Sequence, residues 1–275
     1  MKRIKLVVSD IDGTLIEHGE EFPQAVARAV EELSARGIGF TFASGRLPYM
    51  ITPFVQKLGI DLPVCACNGT LIYRGEEILE SHPLRARVLR PLITAALLRG
   101  MTVLYAVRGV EYCFEENEAT RRKRAERGTY HPIRPIGERE WDTLLVDKMN
   151  IIDEGRGVPA LKALEEELAD RCHITHYGES GLEIVAAGYG KEYGIRRLAG
   201  YMGISVDEIL AIGDNENDDA MIRLAGVGGA VGNAIPQTRA CADIVAERAG
   251  GEGVAEIIQK VCLEGNGLAG MTWKE

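Results

Sequence analysis

Nowhere in the 275-residue chain is there an apolar run of the length a membrane-spanning helix requires, about 18 residues or more. Lys2 and Arg3 lead into an apolar stretch that is too short for the core of a secretory leader, so a cytosolic protein is expected. Positive charge is also scarce. Thirty-two Lys and Arg stand against 41 Asp and Glu, a net charge of -9. A nucleic acid or an anionic membrane as the main partner would call for a basic face, so neither is expected. Paired cysteines are missing too: of the six, only Cys65 and Cys67 are close, and no second pair stands at metal-ligand spacing. All six are read as buried free thiols. His173 and His176, three apart at the end of an apparent strand, point to opposite faces and do not form a ligand pair.

What is present is ordinary in bulk and distinctive in order. Hydrophobic residues at 46% and charged residues at 27% suit a globular protein, and the length allows one large or two modest domains. Strand and helix patterns alternate from the start, which predicts parallel βαβ units. The apolar run from Ile4 to Ser9 reads as a strand, and Val26, Ala29, Val30 and Leu33 recur at helical spacing up to a stop at Gly37. Ile38 to Ala43 reads as a second strand, followed by a helix to Gly59. Pro63 to Cys67 reads as a third strand, continued by a hairpin from Asn68 to Tyr73.

After Pro83 the pattern changes. A helix over Leu84 to Arg99, kinked or split at Pro91, precedes strands at Thr102 to Val107 and Glu111 to Phe114 that turn at Arg108-Gly109. Asn117 is a candidate cap for a helix containing Arg121 to Arg124, a basic run read as a solvated face. A strand at Lys148 to Ile152, a helix over Val158 to Ala169 and strands near Cys172 to His176 and Leu182 to Ala186 complete a segment with its own element complement. That segment, 84–187, is expected to be an inserted second domain, and 1–83 with 188–275 the core. From Lys191 the parallel pattern resumes through the strand Ile209 to Ile212, and the last residues, 265–275, read as a loose tail.

The polar residues that punctuate the strands carry the chemistry. Asp10 and Asp12 follow the first strand in Asp10-Ile11-Asp12-Gly13-Thr14, Ser44-Gly45-Arg46 follows the second, and Gly213-Asp214-Asn215-Glu216-Asn217-Asp218 follows a later one. Ligand sites in open parallel sheets lie beyond the carboxyl ends of strands, so these groups are expected to converge, with Lys191 in reach. Several carboxylates, one hydroxyl and one ammonium form a composition for Mg²⁺ plus phosphate. The hard cation takes carboxylate oxygens, while Ser and Lys donate to phosphoryl oxygens.

The ordered set of four motifs resembles the haloacid-dehalogenase-like phosphotransferase superfamily. With Asn68-Gly69, Glu183-Ile184, Gly232-Asn233-Ala234 and Gly251-Glu252-Gly253-Val254-Ala255, it resembles the Cof-type subfamily of sugar-phosphate phosphatases over nearly the whole core. The resemblance implies an α/β fold with a Rossmann-like open parallel sheet core and an inserted α/β cap domain of the C2 type. It also implies a Mg²⁺-dependent phosphomonoesterase acting on a small phosphorylated metabolite, a sugar phosphate above all. A phosphomutase of the same superfamily would keep the same four motifs. A catalytically idle binding protein on this fold would have no need of Asp10, Asp12, Ser44, Lys191 and Asp214 together.

The roles implied by the resemblance agree with the chemistry of the residues. Asp10 is the expected nucleophile, giving an aspartyl-phosphate, and a metal ligand. Asp12 is the expected acid and base, its backbone carbonyl a second ligand, and Asp214 the third. Ser44 and Lys191, with Gly45 and Asn217, are expected to bind the phosphoryl group, and Asp218 to hold Lys191. Thr14 either caps the first helix or orients Asp12. Arg46 is either a partner for a surface carboxylate or a substrate contact, and Asn233 is read as a turn former ahead of a ligand.

Overall fold

The computed structural model describes residues 3–17, 21–127, 131–153, 155, 157–176 and 179–264. The expected tail at 265–275 lies outside them. The chain divides into two compact units, one of Met1–Glu80 with Gly190–Glu275 and one of Ser81–Tyr189.

The first unit begins with β1 (Leu6–Ser9), α1 (Gln24–Ala35), β2 (Gly39–Phe42), α2 (Pro48–Lys57), β3 (Val64–Ala66), β4 (Leu71–Arg74) and β5 (Glu77–Ser81). β1 is buried on both faces, as a central strand of a covered parallel sheet must be. The apolar stripe Val26, Ala29, Val30 and Leu33 is the buried face of α1, and Gly37, at φ +72°, releases the chain into β2. β3 is shorter than the expected strand. Cys67 and Asn68 both adopt φ 50°, so the chain leaves the sheet at Cys67, and a tight turn over Cys67–Gly69 brings β4 back antiparallel.

In the second unit, β6 (Leu84–Arg85) leads into α3 (Ala86–Leu97), β7 (Thr102–Val107), β8 (Val110–Cys113) and α4 (Glu118–Arg127). Then come β9 (Leu145–Val146), β10 (Lys148–Ile152), α5 (Lys162–Leu168), β11 (Cys172–His176) and β12 (Gly181–Ala186). Its main sheet is antiparallel, in the order β11-β12-β10-β7-β8. Two expectations need correction here. Of the two outcomes expected at Pro91, the split does not occur: α3 runs on through it, because Leu89, Leu92, Ile93 and Ala96 on the same helix are buried in the unit's core and hold the turn that proline weakens. The helix expected over 158–169 is a 3₁₀ turn, Val158–Leu161, followed by the short α5. Asn117 does cap α4: its side chain accepts from the Thr120 N–H at 2.9 Å and the Thr120 hydroxyl accepts from the Asn117 N–H at 2.8 Å. The basic run on α4 is met by glutamates, with Arg124 2.6 Å from Glu116. Within the sheet, Lys148 and Glu183 form a buried ion pair at 2.6 Å.

The first unit resumes with α6 (Lys191–Met202), β13 (Ile209–Gly213), α7 (Asp219–Leu224), β14 (Val227–Ala230), α8 (Pro236–Cys241), β15 (Ile244–Val245) and α9 (Gly250–Ile258). Its principal sheet is all parallel, in the order β15-β14-β13-β1-β2. A parallel bridge between Ala43 and Cys65 sets β3 beside the end of β2. Because β13, β1 and β2 run the same way, Asp214, Asp10 and Ser44 all leave the sheet at one edge.

The cysteines are free thiols. Five are buried; Cys262 is half-buried, unlike the expectation for all six. Burial pushes the Cys65 thiol up to about 12, which leaves it neutral and inert. Among the described residues, no helix is long and apolar enough to cross a membrane.

Candidate active site

Asp10 is the first residue beyond β1, its N–H donating to the Ile212 carbonyl at 2.9 Å, and it is buried. Lys191 opens α6 directly after Gly190 and is 1% exposed. Its ammonium lies 2.8 Å from Asp10 Oδ1 and 2.6 Å from Asp218 Oδ1. Burial by itself pulls the pKa of this lysine down, but the two carboxylates outweigh that and hold it well above the ordinary value. Burial raises Asp10, an effect Lys191 opposes and the nearby Asp218 and Asp214 reinforce.

Both oxygens of Asp218 are committed. Oδ1 takes the lysine, and Oδ2 accepts from the backbone N–H groups of Asp214 at 2.9 Å and Asn215 at 3.2 Å. Asp218 thus fixes the loop after β13 and the lysine together. Asp214 is raised to about 6, chiefly by burial, with Asp218 adding to the rise and a bond from Thr14 opposing it. That bond, Thr14 Oγ1 to Asp214 Oδ1 at 2.6 Å, corrects the expectation for Thr14. Thr14 neither caps α1, which starts at Gln24, nor holds Asp12; it orients Asp214.

The loop after β1 turns at Gly13, at φ +80°. A Cβ there would stand 2.3 Å from Asp214 Oδ2, so only glycine lets the two loops close on each other. The Gly13 carbonyl is tied by the Asn233 amide at 2.7 Å, while Asn233 Oδ1 accepts from the Gly250 N–H at 2.8 Å. Asn233 is therefore a clip between β1's loop and the start of α9, beyond the turn role expected of it.

Ser44 is fully buried, its N–H bonded to the Cys65 carbonyl at 3.0 Å and its hydroxyl accepting from the Arg46 N–H at 3.2 Å. Gly45 lies in the same turn. The Arg46 guanidinium grips Asp12 through Nε to Oδ2 at 2.8 Å and Nη2 to Oδ1 at 2.7 Å. Asn217 donates its amide to Asn68 Oδ1 at 3.3 Å. Asn68 is a residue the chemistry of the sequence left without a role. It is buried, and its own Nδ2 has no hydrogen-bond partner. The sequence signals for it are an Asn-Gly turn at the end of a buried strand and its place among the segments that carry the family resemblance.

Oxygens of Asp10, Asp214 and Asp218 come within 4.8 Å of one another. Three carboxylates face a single ammonium there, a deficit of positive charge in a buried place that one divalent cation would balance. With Asp218 spent on the lysine and the loop, Asp10 and Asp214 are the side chains left to hold it. The donor set, all hard oxygen, fits Mg²⁺.

Residues 7–258 match the model of the haloacid dehalogenase-like hydrolase family. The chain belongs to that family. The Cof-type resemblance read from the sequence holds. Among similar proteins, the pyridoxal phosphate phosphatase YbhA of Escherichia coli (strain K12) is 26% identical over 261 residues, covering 88% of this chain and 92% of its own. The 5-amino-6-(5-phospho-D-ribitylamino)uracil phosphatase YbjI of the same organism is 27% identical over 266 residues, covering 94% and 96%. The crystal structure of a haloacid dehalogenase-like hydrolase from Bacteroides thetaiotaomicron superposes with a TM-score of 0.78 at 27% identity, covering 94% of this chain and 100% of the other.

Proposed function

We propose that the protein is a Mg²⁺-dependent phosphomonoesterase for a small phosphorylated metabolite, a sugar phosphate foremost, working through an aspartyl-phosphate on Asp10. The observation that carries this reading is the buried Asp10–Lys191–Asp218 array beside Asp214. The relatives named for pyridoxal phosphate and for a phosphoribitylamino uracil support a small phosphorylated substrate.

Asp10 attacks phosphorus, forming the new O–P bond as the ester O–P bond breaks. Asp12 gives its proton to the departing alkoxide, then takes one from the water that hydrolyses the phosphoenzyme and regenerates Asp10. Lys191 serves two ends: it keeps Asp10 in place and supplies positive charge to the phosphoryl oxygens as they crowd the nucleophile. Ser44, the Gly45 turn, Asn217 and the spare amide of Asn68 are donors for the same oxygens. Asp10, the Asp12 backbone carbonyl and Asp214 would hold Mg²⁺, which supplies Lewis-acid neutralisation of phosphate charge. Asp218 and Thr14 act through their neighbours, aligning Lys191 and Asp214.

The segment at 84–187 is proposed as the cap that selects the leaving group. Exchanging it for a Gly/Ser linker should preserve slow hydrolysis of an aryl phosphate and abolish discrimination among sugar phosphates.

A phosphate-release screen over sugar phosphates, nucleotides and flavin mononucleotide, with and without Mg²⁺, tests the whole reading. Mg²⁺-dependent release from a subset of these is expected. Isomerisation without release, or no turnover of any phosphomonoester, would contradict it.

A further inference from the structure

Arg46 and Asp12 stand 34 positions apart in sequence and meet in a two-bond fork. The rest of the unit holds the arginine end of that fork still. Its backbone N–H donates to Ser44 Oγ at 3.2 Å, its carbonyl accepts from the Cys67 N–H at 3.0 Å, and its guanidinium lies over the Phe54 ring, 5.2 Å from the centroid. The Arg46 side chain is 15% exposed, whereas that of Asp12 is 59% exposed. Arg46 is therefore the fixed partner and Asp12 the one that needs fixing.

Stability does not account for the arrangement, since a pair with one exposed member contributes at most about 1 kcal/mol. What a bidentate fork adds is direction. A solvated aspartate spreads over its staggered rotamers, yet proton transfer demands a reach of roughly 2.6–3.2 Å between heavy atoms. The guanidinium cannot be the acid itself, because it keeps its protons at any working pH. Each Asp12 oxygen spends one lone pair on the fork and retains another for a proton.

We infer that Arg46 is a positioning residue that holds the Asp12 carboxyl group in line for both proton transfers, to the leaving oxygen and from the hydrolytic water. This rests on the reading of Asp12 as acid and base, so the test carries Asp12→Asn in parallel.

The probes are 4-nitrophenyl phosphate, whose leaving group departs without a proton, and phenyl phosphate, whose leaving group benefits from one. Rapid-quench kinetics follow phosphoenzyme formation and decay in the wild type, Arg46→Met, Arg46→Lys and Asp12→Asn. Arg46→Met keeps an apolar stem against Phe54 and removes the fork. It should form phosphoenzyme from 4-nitrophenyl phosphate at close to the wild-type rate and break it down about tenfold or more slowly, and from phenyl phosphate its formation should slow by a similar factor. Arg46→Lys, with a point charge and no fork, should fall between the two. Equal slowing of formation with both probes, a rise in KM alone, or wild-type behaviour would overturn the inference. If Asp12→Asn itself shows no dependence on the leaving group, the acid and base reading fails and the inference falls with it; if Asp12→Asn shows that dependence and Arg46→Met does not, the inference alone falls.

Discussion

The Lys191 ammonium sits 2.8 Å from Asp10 Oδ1 and both side chains are buried, so the Asp10 carboxylate is held by a lysine 181 positions further along the chain. Replacing Lys191 by Met keeps most of the length of the side chain and removes the charge, leaving Asp10 and Asp218 buried without it. Loss of one partner from such an array costs about 3–5 kcal/mol, and the barrier to turnover should rise by about 4 kcal/mol, roughly a thousandfold in rate. Denaturant unfolding and phosphate release measure the two effects. A stable, active Lys191→Met would show that the lysine supports neither the fold nor the chemistry.

The close approach of Gly13 to Asp214 gives a second prediction. Gly13→Ala suffers the strain of a left-handed residue, about 1–2 kcal/mol, and drives its Cβ into Asp214. Gly59→Ala is the control, since Gly59 has φ +62° and nothing within 4 Å of a Cβ. Both variants should lose similar stability from backbone strain. Only Gly13→Ala should weaken Mg²⁺ binding, read by isothermal titration. Equal Mg²⁺ affinity in the two would separate Asp214 from the metal.

Much of this arrangement can be read from the chain, and the reason is the parallel sheet. Once β1, β2 and β13 are recognised as strands running the same way, Asp10, Ser44 and Asp214 must leave at one edge, whatever their distance in sequence. The stripe Val26, Ala29, Val30 and Leu33 likewise identifies the buried face of α1 from spacing alone. Pairings between side chains on different loops have no such rule. Nothing in the spacing of Thr14 and Asp214, 200 residues apart, or of Arg46 and Asp12 shows which acceptor each donor takes. Whether α3 splits at Pro91 or runs through it is not decided locally: burial of Leu89, Leu92, Ile93 and Ala96 outweighs one lost backbone bond and keeps the helix whole. The burial of Asn68 is hidden for a further reason: an Asn-Gly pair signals a turn, and nothing in the sequence shows that this one, at φ 50°, turns inward.

Metal identity gives a third prediction. Excess chelator should abolish phosphate release and added Mg²⁺ should restore it. Ca²⁺ should restore far less, because its looser and higher coordination lets it take both oxygens of a carboxylate and so occupy the one that attacks. Undiminished turnover in chelator would remove the metal from the mechanism, and equal turnover with Ca²⁺ would remove this account of its selectivity.

The proposed mechanism requires that Asp10 become covalently phosphorylated. The most direct measurement is acid quench during steady turnover of 4-nitrophenyl phosphate, followed by proteolysis and mass spectrometry of the peptide that carries Asp10. One phosphoryl group is expected on that peptide in the wild type, more of it in Asp12→Asn, and none in Asp10→Asn, which should be inactive while still folded. Turnover with no modification of Asp10, together with an active Asp10→Asn, would contradict it.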